Sequence, residues 1–303
     1  MFDDIVRKTF VGRLMIAKLH EVECLILPKL IDDETAVKRY YKKKSGKELN
    51  IDNPVFFSEK TNWYKLNCRK PLMQQCADKY SVREYVQECG YGNSLNELIG
   101  IYTDVRDIKL YDLPERFVLK AAHGSHMNII WPDTEYKWWQ VKLLAKSWLK
   151  QDIYWSGREW VYKNMPKRLI IEKYLEDETG ELRDYKFFCY NGQPKLLQFD
   201  AGRLKGKHYR NYYDMDLNLL DITDKSTVVN PNLIPVDPES FTIMKQMATK
   251  LAEPFQFVRV DLYFVHGKIY FGEMTFFDGG GWSGFSKEEY ERIFGDPWIL
   301  QYN

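Results

Sequence analysis

The sequence predicts an α+β or mixed α/β protein, because helical and strand-like segments are interleaved along the chain. Apolar residues recur at helical spacing in five segments, and strand-like segments joined by short turns form two hairpins. The turns are Asn191-Gly192 and His266-Gly267, and Asn-Gly between apolar runs is a strong hairpin signal. Interleaved elements with several antiparallel hairpins are typical of this fold class.

The predicted helices are spread over most of the chain. They cover residues 5–20, 32–44, 136–150 and 237–253, and a fifth begins near Pro71 and runs past Val86. Proline suits the first turn of a helix, and Asp237 or a neighbour is expected to cap the last one. Residues 46–60 are predicted to form a loop.

The predicted strands lie between these helices. A buried strand is expected from Phe117 to Lys120, followed by a loop of small residues. RLIIEKYLE, at residues 168–176, is predicted to be a strand that ends in a polar turn. Residues 184–200 form the first predicted hairpin and residues 259–275 the second.

Length and composition are those of a globular protein with about two domains, since the chain has 303 residues and a domain has roughly 150. Hydrophobic residues make up 45% and charged residues 29% of the chain, an ordinary balance that can bury a core. The net charge of +1 argues against a polyanion as the main partner. We therefore expect no nucleic-acid partner, although a local basic patch remains open.

The sequence also predicts a cytoplasmic protein. No apolar run approaches the roughly 20 residues that cross a bilayer. The opening MFDDIVRKTF has two acids and no compact apolar segment, so that a secretory signal is not expected. Five cysteines, odd in number and without CxxC spacing, suit a reducing cytosol. We expect neither an integral membrane segment nor a zinc site.

Aromatic residues are unusually frequent, at 16% of the chain. They form either a core rich in aromatic rings or a surface on which sugars or bases stack. Composition alone does not separate these two interpretations.

Two carboxylates lie inside the last predicted hairpin, although Asp and Glu are poor strand formers. Asp261 and Glu273 are equally far from residue 267, so they are predicted to face each other across the ladder. Like charges directly opposite destabilise a sheet, which makes sense if a divalent cation lies between them. Oxygen ligands of this kind favour Mg²⁺. Alternatively, one of the two points to solvent or pairs with Arg259 or Lys268.

Three further charged residues stand out. Lys120 ends an apolar strand beside AAHGSHMN and is either a phosphate contact or a lysine that reaches along the strand end to water. Glu172 interrupts the apolar strand in IIEKYLED, and its partner is an adenine amino group, Lys173 or another ion-pair residue. Lys79 is predicted to lie on a helix, where it would otherwise be a surface residue.

Sequence signals for other chemistries are weak. The chain has no P-loop, no dinucleotide-binding fingerprint and no nucleophile elbow. No cysteine has a local context that would activate it. His123 and His126 are expected to be loop residues, because no third metal ligand lies near them in the sequence.

The charged residues and their motifs stand in one order along the chain, and this order resembles the ATP-grasp superfamily. More narrowly, the sequence resembles the TupA-like ATP-grasp family of bacterial surface-polysaccharide clusters, over roughly residues 55–285. Each motif is short, and their joint order is specific. The motifs are EKTNWYKLNCRKPL, DKYSVREYV, RFVLKAAHGS, GREWVYKN, DYKFFCYNGQPK and VRVDLYFVHGKIYFGEMTFF.

The resemblance implies an ATP-grasp fold, in which two α+β lobes clasp ATP between them. Residues 1–55 would form an N-terminal helical segment. Residues 56–175 would form the N-terminal lobe with the phosphate lysines and the glycine loop, and residues 176–303 the C-terminal lobe with the magnesium hairpin.

The resemblance also implies the residues that bind ATP. Lys79 and Lys120 match the two lysines that hold its phosphates, and a mobile loop after Lys120 closes over them. A hinge takes adenine, partly through backbone groups, and Asp184 matches a ribose-binding acid. The loop residues are His123, Gly124 and Ser125, and the hinge residues are Glu172, Lys173, Tyr174 and Leu175.

For magnesium, the resemblance implies a site on the last hairpin. Asp261 and Glu273 match the magnesium ligands, and Arg259, together with Lys120, would act on the transferring phosphoryl group. Many ATP-grasp ligases have Asn two residues after the metal Glu, whereas this chain has Thr275. A threonine hydroxyl can still bind magnesium or its water, so that both one and two metal ions remain open.

The implied activity is ATP-dependent ligation of a carboxylate to an amine through an acyl phosphate. The expected acid is a uronic acid of a bacterial surface polysaccharide or its precursor, and the expected amine is an amino acid or a small amine. Association with polysaccharide assembly enzymes is compatible with this role. A sugar or small-molecule kinase and a non-catalytic glycan-binding protein are the alternatives.

A basic segment between the hinge and the last hairpin is the expected contact for the acid. Arg203, Lys207 and Arg210 would bind its charge, and Tyr209 and Tyr212 would stack on sugar. The alternative is an exposed basic loop.

Overall fold

The computed structural model describes residues 9–26, 30–203, 206–223, 227–281, 285 and 287–301, without the side chains of residues 20 and 23–25. Nine α-helices lie in these ranges: α1 (Phe10–Ile26), α2 (Asp33–Ser45), α3 (Phe57–Asn67), α4 (Pro71–Ala77), α5 (Val82–Glu88), α6 (Trp138–Trp148), α7 (Tyr154–Gly157), α8 (Pro238–Ala252) and α9 (Glu288–Gly295). None of these helices is both long and apolar enough to cross a membrane.

Within the described residues, ten strands, all paired antiparallel, form two sheets. The strands are β1 (Leu98–Tyr102), β2 (Phe117–Ala121), β3 (Asn128–Trp131), β4 (Leu169–Lys173), β5 (Asp184–Tyr190), β6 (Gln193–Ala201), β7 (Tyr209–Tyr213), β8 (Leu219–Leu220), β9 (Phe257–Val265) and β10 (Lys268–Thr275). Sheet 1 has the order β1-β4-β2-β3, and sheet 2 the order β10-β9-β5-β6-β7-β8. The α+β fold class is therefore confirmed.

The chain divides into two compact units, each with one sheet. Unit 1 consists of Met1–Ala36, Arg69–Val82 and Asn96–Tyr174, and unit 2 of Val37–Cys68, Arg83–Leu95 and Leu175–Asn303. Each unit is assembled from three separate stretches of sequence, whereas the lobes expected from the resemblance were continuous. The chain enters unit 2 for the last time after Tyr174, in the predicted hinge.

The core of unit 1 lies between one face of sheet 1 and two helices. Leu119 of β2 and Ile171 of β4 are almost completely buried, as are Val141 and Leu144 of α6. Phe10 of α1 packs against the same cluster. The helical periodicity predicted for residues 136–150 thus corresponds to a real buried face. The predicted residues 5–8 of the first helix lie outside the described part of the chain.

The predicted helix after Pro71 is wrong in its middle, because it breaks into α4 and α5. Asp78 ends α4, and its Oδ1 accepts hydrogen bonds from the backbone N–H groups of Tyr80 and Ser81, both at 2.8 Å. These contacts favour a turn over continued helix. Lys79 therefore lies in a turn and not on a helix. Pro71 occupies the first turn of α4, as predicted.

Unit 2 packs α8 on one face of sheet 2 and an aromatic cluster on part of the other. Phe187 of β5 stacks on Phe241 of α8, with ring centroids 5.9 Å apart. On the opposite face, Phe257 of β9 stacks on Trp298 at 4.4 Å. Many of the aromatic residues are thus buried in the core, which favours the first of the two interpretations. Asp237 caps α8 as predicted, since it accepts a 2.9 Å hydrogen bond from the Ser240 N–H.

Several elements were not recognised in the sequence. α3 begins at Phe57, inside the segment predicted to be a loop, and its first turn is held by Glu59, whose Oε2 accepts from the backbone N–H groups of Val55 and Phe56. The other unpredicted elements are β1, β3, β7, β8, α7 and α9.

The last hairpin has a bulge that sets which residues face each other. Its two turn residues, His266 and Gly267, have φ values of 48° and 79°, as a two-residue type I′ turn requires. This turn alone would place Glu273 opposite Val260. The register shifts between Phe271 and Glu273, so that Glu273 lies opposite Asp261 instead. The predicted pairing of the two carboxylates is confirmed, and Gly272 is the extra residue that produces it.

Replacing Gly272 by alanine is expected to destabilise the protein by about 1–3 kcal/mol, because a tightly packed site would have to shift. A Cβ there would come within 2.9 Å of the Asp261 carbonyl oxygen and 3.0 Å of the Tyr263 ring. Urea denaturation followed by circular dichroism measures the change. Gly92→Ala is the control, since its Cβ would meet only the flexible Gln87 side chain, at 3.2 Å. Equal stability of the two variants would contradict a close-packed bulge.

Candidate functional site

In unit 1, the turn that carries Lys79 is tied to the loop after β2. The Lys79 backbone N–H donates to the Ala122 carbonyl oxygen at 3.1 Å. Its side-chain Nζ donates to the Gly124 carbonyl oxygen at 2.7 Å. Ser125 is exposed at the tip of this loop. Two of the residues expected at the ATP phosphates, Lys79 and the Gly124 segment, are thus brought together.

The His123 side chain is an anchor of this loop and does not point outwards. The imidazole is buried, and its Nδ1 accepts from the Arg168 backbone N–H at 3.3 Å. With Nδ1 accepting, Nε2 carries the proton and donates to the Trp148 carbonyl oxygen at 2.9 Å. Burial lowers the pKa of His123, which favours the neutral ring. Both ring nitrogens are therefore used inside unit 1, and only the backbone of this residue is suited to a phosphate.

Lys120 and Glu172 form an ion pair across β2 and β4. The Lys120 Nζ donates to Glu172 Oε2 at 2.6 Å. Lys120 lies opposite Ile170, and Glu172 opposite Val118, so the two side chains meet diagonally on one face of sheet 1. The partner that the buried Glu172 required is thus Lys120, and not Lys173. The pair fixes the direction in which Lys120 leaves the strand.

The predicted hinge follows directly in the chain. The Lys173 backbone N–H donates to the Glu97 carbonyl oxygen at 3.0 Å, and its carbonyl oxygen accepts from Asn96 Nδ2 at 2.8 Å. The Arg116 guanidinium lies 3.7 Å from the Tyr174 ring centroid, in a cation–π contact. Leu175 is half-buried. The N–H and C=O groups of Lys173 are therefore both hydrogen-bonded within the protein.

In unit 2, the Arg259 guanidinium contacts three acidic side chains and one hydroxyl in and just after the last hairpin. The Arg259 Nε and Nη2 donate to the two carboxylate oxygens of Asp261, both at 2.7 Å. Nη2 also lies 3.4 Å from Glu273 Oε1 and 3.2 Å from Thr275 Oγ1. Nη1 pairs with the carboxylate of Asp278. All four predicted residues of this site are brought together, and Asp278 is an addition that the sequence reasoning missed.

A run of three glycines directly follows Asp278. Gly279, Gly280 and Gly281 all have positive φ, between 57° and 70°, a conformation that glycine adopts readily. The Gly281 carbonyl oxygen accepts from Asn62 Nδ2 at 2.8 Å, and a Cβ on Gly281 would come within 2.9 Å of the same amide. The run thus folds the chain back sharply directly after the carboxylate that reaches Arg259.

Burial strongly perturbs the charges of this hairpin. Burial raises the pKa of Asp261 to about 7, although Arg259 opposes this shift. For Arg259, burial alone would lower the pKa, but Asp261 and Asp278 hold it well above its usual value. Burial disfavours the ionised form of a carboxylate, and a nearby cation stabilises that form. The site therefore favours positive charge, here supplied by the guanidinium.

The donor set of the hairpin fits magnesium. Glu273 leaves 40% of its side chain exposed, whereas Asp261 is buried, so the pair opens towards one side. Within the part of the chain that the structure describes, no three His, Cys, Asp or Glu side chains lie close enough to hold a metal ion by themselves. Magnesium usually takes one or two carboxylates and completes its shell with water and substrate phosphates. Asp261, Glu273 and the Thr275 hydroxyl supply such a partial shell.

Two of the remaining predicted residues of unit 2, Arg203 and Arg210, meet at Asp200 on β6. Arg203 Nη2 and Arg210 Nε donate to its carboxylate at 2.8 and 2.7 Å. Arg203 also pairs with Asp184, the predicted ribose acid, at 2.9 Å. Lys207 is exposed, with its Nζ 5.3 Å from the Tyr209 ring centroid. The two arginines are therefore ordered by carboxylates.

The expectation that Tyr212 stacks on sugar is wrong. Tyr212 is 3% exposed, and its ring packs edge-on against Phe294 with centroids 5.4 Å apart. Because residues alternate between the two faces of a strand, Tyr212 lies on one face of β7, and aromatic side chains cover that face at this position. Tyr209 is half-buried and partly accessible.

The sequence model of the TupA-like ATP-grasp family matches residues 59–299. No curated protein matches the sequence. Among solved structures, D-alanine–D-alanine ligase from Bacillus anthracis matches with 16% identity and a TM-score of 0.38, over 66% of this chain and 56% of that one.

Two other solved structures match at a comparable level. D-alanine–D-alanine ligase from Helicobacter pylori has 14% identity and a TM-score of 0.37, over 74% of this chain and 61% of that one. The ATP-grasp ligase PsnB, complexed with its minimal precursor, has 8% identity and a TM-score of 0.40, over 75% and 62%. This chain thus spans less than two thirds of these structures, and likenesses of this strength carry no argument about its activity.

Proposed function

Because the chain belongs to the TupA-like ATP-grasp family, we propose that it is an ATP- and magnesium-dependent ligase that joins a carboxylate to an amine. The observation that carries the proposal is the last hairpin, where Arg259, Asp261, Glu273 and Thr275 meet around one guanidinium. Two acids, a hydroxyl and a fixed cation suit phosphoryl transfer, which depends on alignment and charge neutralisation more than on a protein nucleophile. The weak sequence signals for nucleophilic catalysis agree with this.

In the proposed reaction, the acid attacks the γ-phosphorus of ATP, an acyl phosphate forms and ADP leaves. The amine then attacks the acyl carbon, an amide forms, and phosphate leaves with the electron pair of the broken C–O bond. The amine loses one proton in this step. Magnesium, when bound with ATP, would neutralise phosphate charge between Asp261 and Glu273.

The chain's own residues would hold ATP by charge and position. In unit 1, Lys120 would bind phosphate with its direction set by Glu172, and Lys79 would do so beside the Gly124–Ser125 backbone. Both backbone groups of Lys173 are hydrogen-bonded within the protein, so the next two residues, Tyr174 and Leu175, are the hinge groups proposed for adenine. Asp184 is the residue proposed for ribose. In unit 2, Arg259 would steady the transferring phosphoryl group, since preorganised donors stabilise developing charge.

We infer further that the acid is a uronic acid of a bacterial surface polysaccharide or of its precursor. The support is the family itself and the pair of arginines at Asp200, Arg203 and Arg210, which suits an anionic substrate. Lys207, exposed in the same loop, is a further proposed contact. The amine would be an amino acid or a small amine. Because such a reaction draws on ATP and magnesium, we place it in the cytoplasm, where it would be compatible with polysaccharide assembly enzymes.

Mass spectrometry of products tests the proposal. The protein is incubated with Mg·ATP, a panel of uronic acids and a panel of amines. We expect ADP to form only when both an acid and an amine are present, together with a product whose mass equals acid plus amine minus water. A stable phosphorylated sugar would indicate a kinase instead, and no ATP binding at all would favour a glycan-binding protein.

A further inference from the structure

A buried carboxylate lies at the centre of the polar part of sheet 2. The Asp200 side chain is completely shielded from solvent, yet it is surrounded by charged groups on which the proposed substrate contact depends. We propose that Asp200 is a positioning residue, which orients Lys186, Arg203 and Arg210 into one anion subsite for the carboxylate substrate. This inference rests on the proposed ligase function, and it names the group that builds the acid site.

The carboxylate of Asp200 has donors on both oxygens. Oδ2 accepts from Lys186 Nζ at 2.9 Å and from Arg203 Nη2 at 2.8 Å. Oδ1 accepts from Arg210 Nε at 2.7 Å. The remaining two contacts are with Gln198 Nε2 at 2.7 Å and His208 Nε2 at 3.1 Å. Five contacts to one group fix the carboxylate on β5, β6, β7 and the loop between β6 and β7.

The Asp200 carboxylate holds the cationic side chains around it without neutralising all of their charge. Within the group of residues in direct contact at Asp200 and Arg203, three cations face the two carboxylates of Asp200 and Asp184. This contact group therefore carries one net positive charge, although Lys186 also interacts with Asp261 on the neighbouring strand. Burial lowers the His208 pKa, which favours its neutral form. For Asp200 itself, burial would raise the pKa, but Lys186 and Arg210 hold it far below its usual range. The Asp200 carboxylate therefore stays ionised at neutral pH.

The strand register places this subsite beside the proposed metal hairpin. Lys186 of β5 lies opposite Gln198 on one side and opposite Asp261 on the other. Residues directly opposite each other share a sheet face and lie about 5 Å apart at Cα. A carboxylate held at Lys186 would thus lie one strand away from Asp261. Arg203, with 43% of its side chain exposed, marks the solvent edge of the same subsite.

A buried carboxylate that holds several cationic side chains in place has a clear physical use. Three cationic side chains close together repel one another and have many rotamers, so that a ligand would have to order them on binding. Groups ordered before the ligand arrives give tighter and more selective binding, because the entropy is lost during folding. Arginine benefits most, since its planar fork binds carboxylates only in a defined orientation.

Asp200→Asn is the test, with D-glucuronate as the probe. Calorimetry of the full chain with magnesium and a non-hydrolysable ATP analogue measures both affinities. We expect D-glucuronate binding to weaken by about tenfold or more, as for a lost charge-assisted contact, and the ATP analogue to bind within about threefold of wild type. Asp214→Asn is the matched control, because its carboxylate accepts from Asn218 in the neighbouring turn after β7. It should bind both ligands like wild type.

Each other outcome has a definite meaning. Unchanged D-glucuronate affinity in Asp200→Asn would overturn the positioning role. Wild-type protein that binds the ATP analogue but not D-glucuronate would overturn the subsite itself while leaving the ligase proposal standing. Failure of wild type to bind the ATP analogue would instead count against the proposed function.

Labelling of the wild-type protein keeps the inference testable if Asp200→Asn does not fold. Phenylglyoxal modifies accessible arginines, and peptide mapping measures the rate at each position. Arg203 and Arg210 should react more slowly than Arg106, whose side chain is 86% exposed, and D-glucuronate should slow the first two further. Rates at Arg203 and Arg210 that do not respond to D-glucuronate would overturn the subsite.

Discussion

Asp261→Asn is expected to lower the rate of ATP-dependent amide formation by about 10²-fold or more, the usual effect of removing one group that stabilises transferring charge. The amide keeps the shape of the side chain but removes the negative charge that a divalent cation requires. The magnesium concentration for half-maximal turnover should rise in parallel. Steady-state kinetics over a magnesium titration measures both effects.

The fold is expected to survive this substitution, since Arg259 keeps its contacts with Glu273 and Asp278. A melting temperature close to that of wild type would separate a catalytic effect from unfolding. Asp216→Asn is the control, because this carboxylate is exposed in the turn between β7 and β8. Near-normal turnover in Asp261→Asn, with unchanged magnesium dependence, would show that the hairpin carboxylates do not bind the metal.

Lys120→Met should weaken binding of the ATP analogue and lower kcat/KM for ATP by about 10²-fold, because a preorganised phosphate charge is lost. The substitution also leaves the largely buried Glu172 without the Lys120 ammonium. Loss of one partner of a buried hydrogen-bonded pair costs about 1–3 kcal/mol. Fluorescence titration measures binding, and thermal unfolding measures stability.

A double variant separates the two consequences of losing Lys120. Lys120→Met with Glu172→Gln removes the carboxylate charge that has lost its lysine and should recover stability but not ATP affinity. Lys146→Met provides a matched control on exposed α6 surface, and we expect it to leave both unchanged. If the double variant regained ATP affinity, Lys120 would be a partner of Glu172 only and not a phosphate contact.

Local sequence patterns were sufficient for elements with strong local signals. The helix at residues 237–253 has a proline in its first turn and an aspartate cap, and the hairpin at Asn191-Gly192 has a favoured turn pair. The pairing of Asp261 with Glu273 was also predicted correctly. Its geometric reason was different, because the prediction assumed a regular ladder and the structure reaches the same pair through a tight turn and a bulge.

Contacts that depend on distant parts of the chain were not predictable in this way. Asp200 lies in an apolar strand, which is an unusual place for a carboxylate, but its donors come from β5, β7 and the loop after β6. Asp278 meets Arg259 in a segment beyond the predicted hairpin, directly before three successive glycines with positive φ. Lys79 was placed on a helix because apolar spacing continues through the turn that Asp78 creates. At Lys79, hydrogen bonding by the Asp78 side chain outweighs local periodicity.

The bulge at Gly272 has a consequence for changes in chain length. Gly272 is the extra residue of the bulge, so its deletion would restore a regular ladder in which Glu273 still lies opposite Asp261. Loss of a residue nearer the turn, with the bulge kept, would instead place Glu273 opposite Leu262, on the face that packs on α8. The bulge can therefore absorb the loss of one residue, and what the hairpin has to preserve is the opposition of the two carboxylates more than an exact strand length.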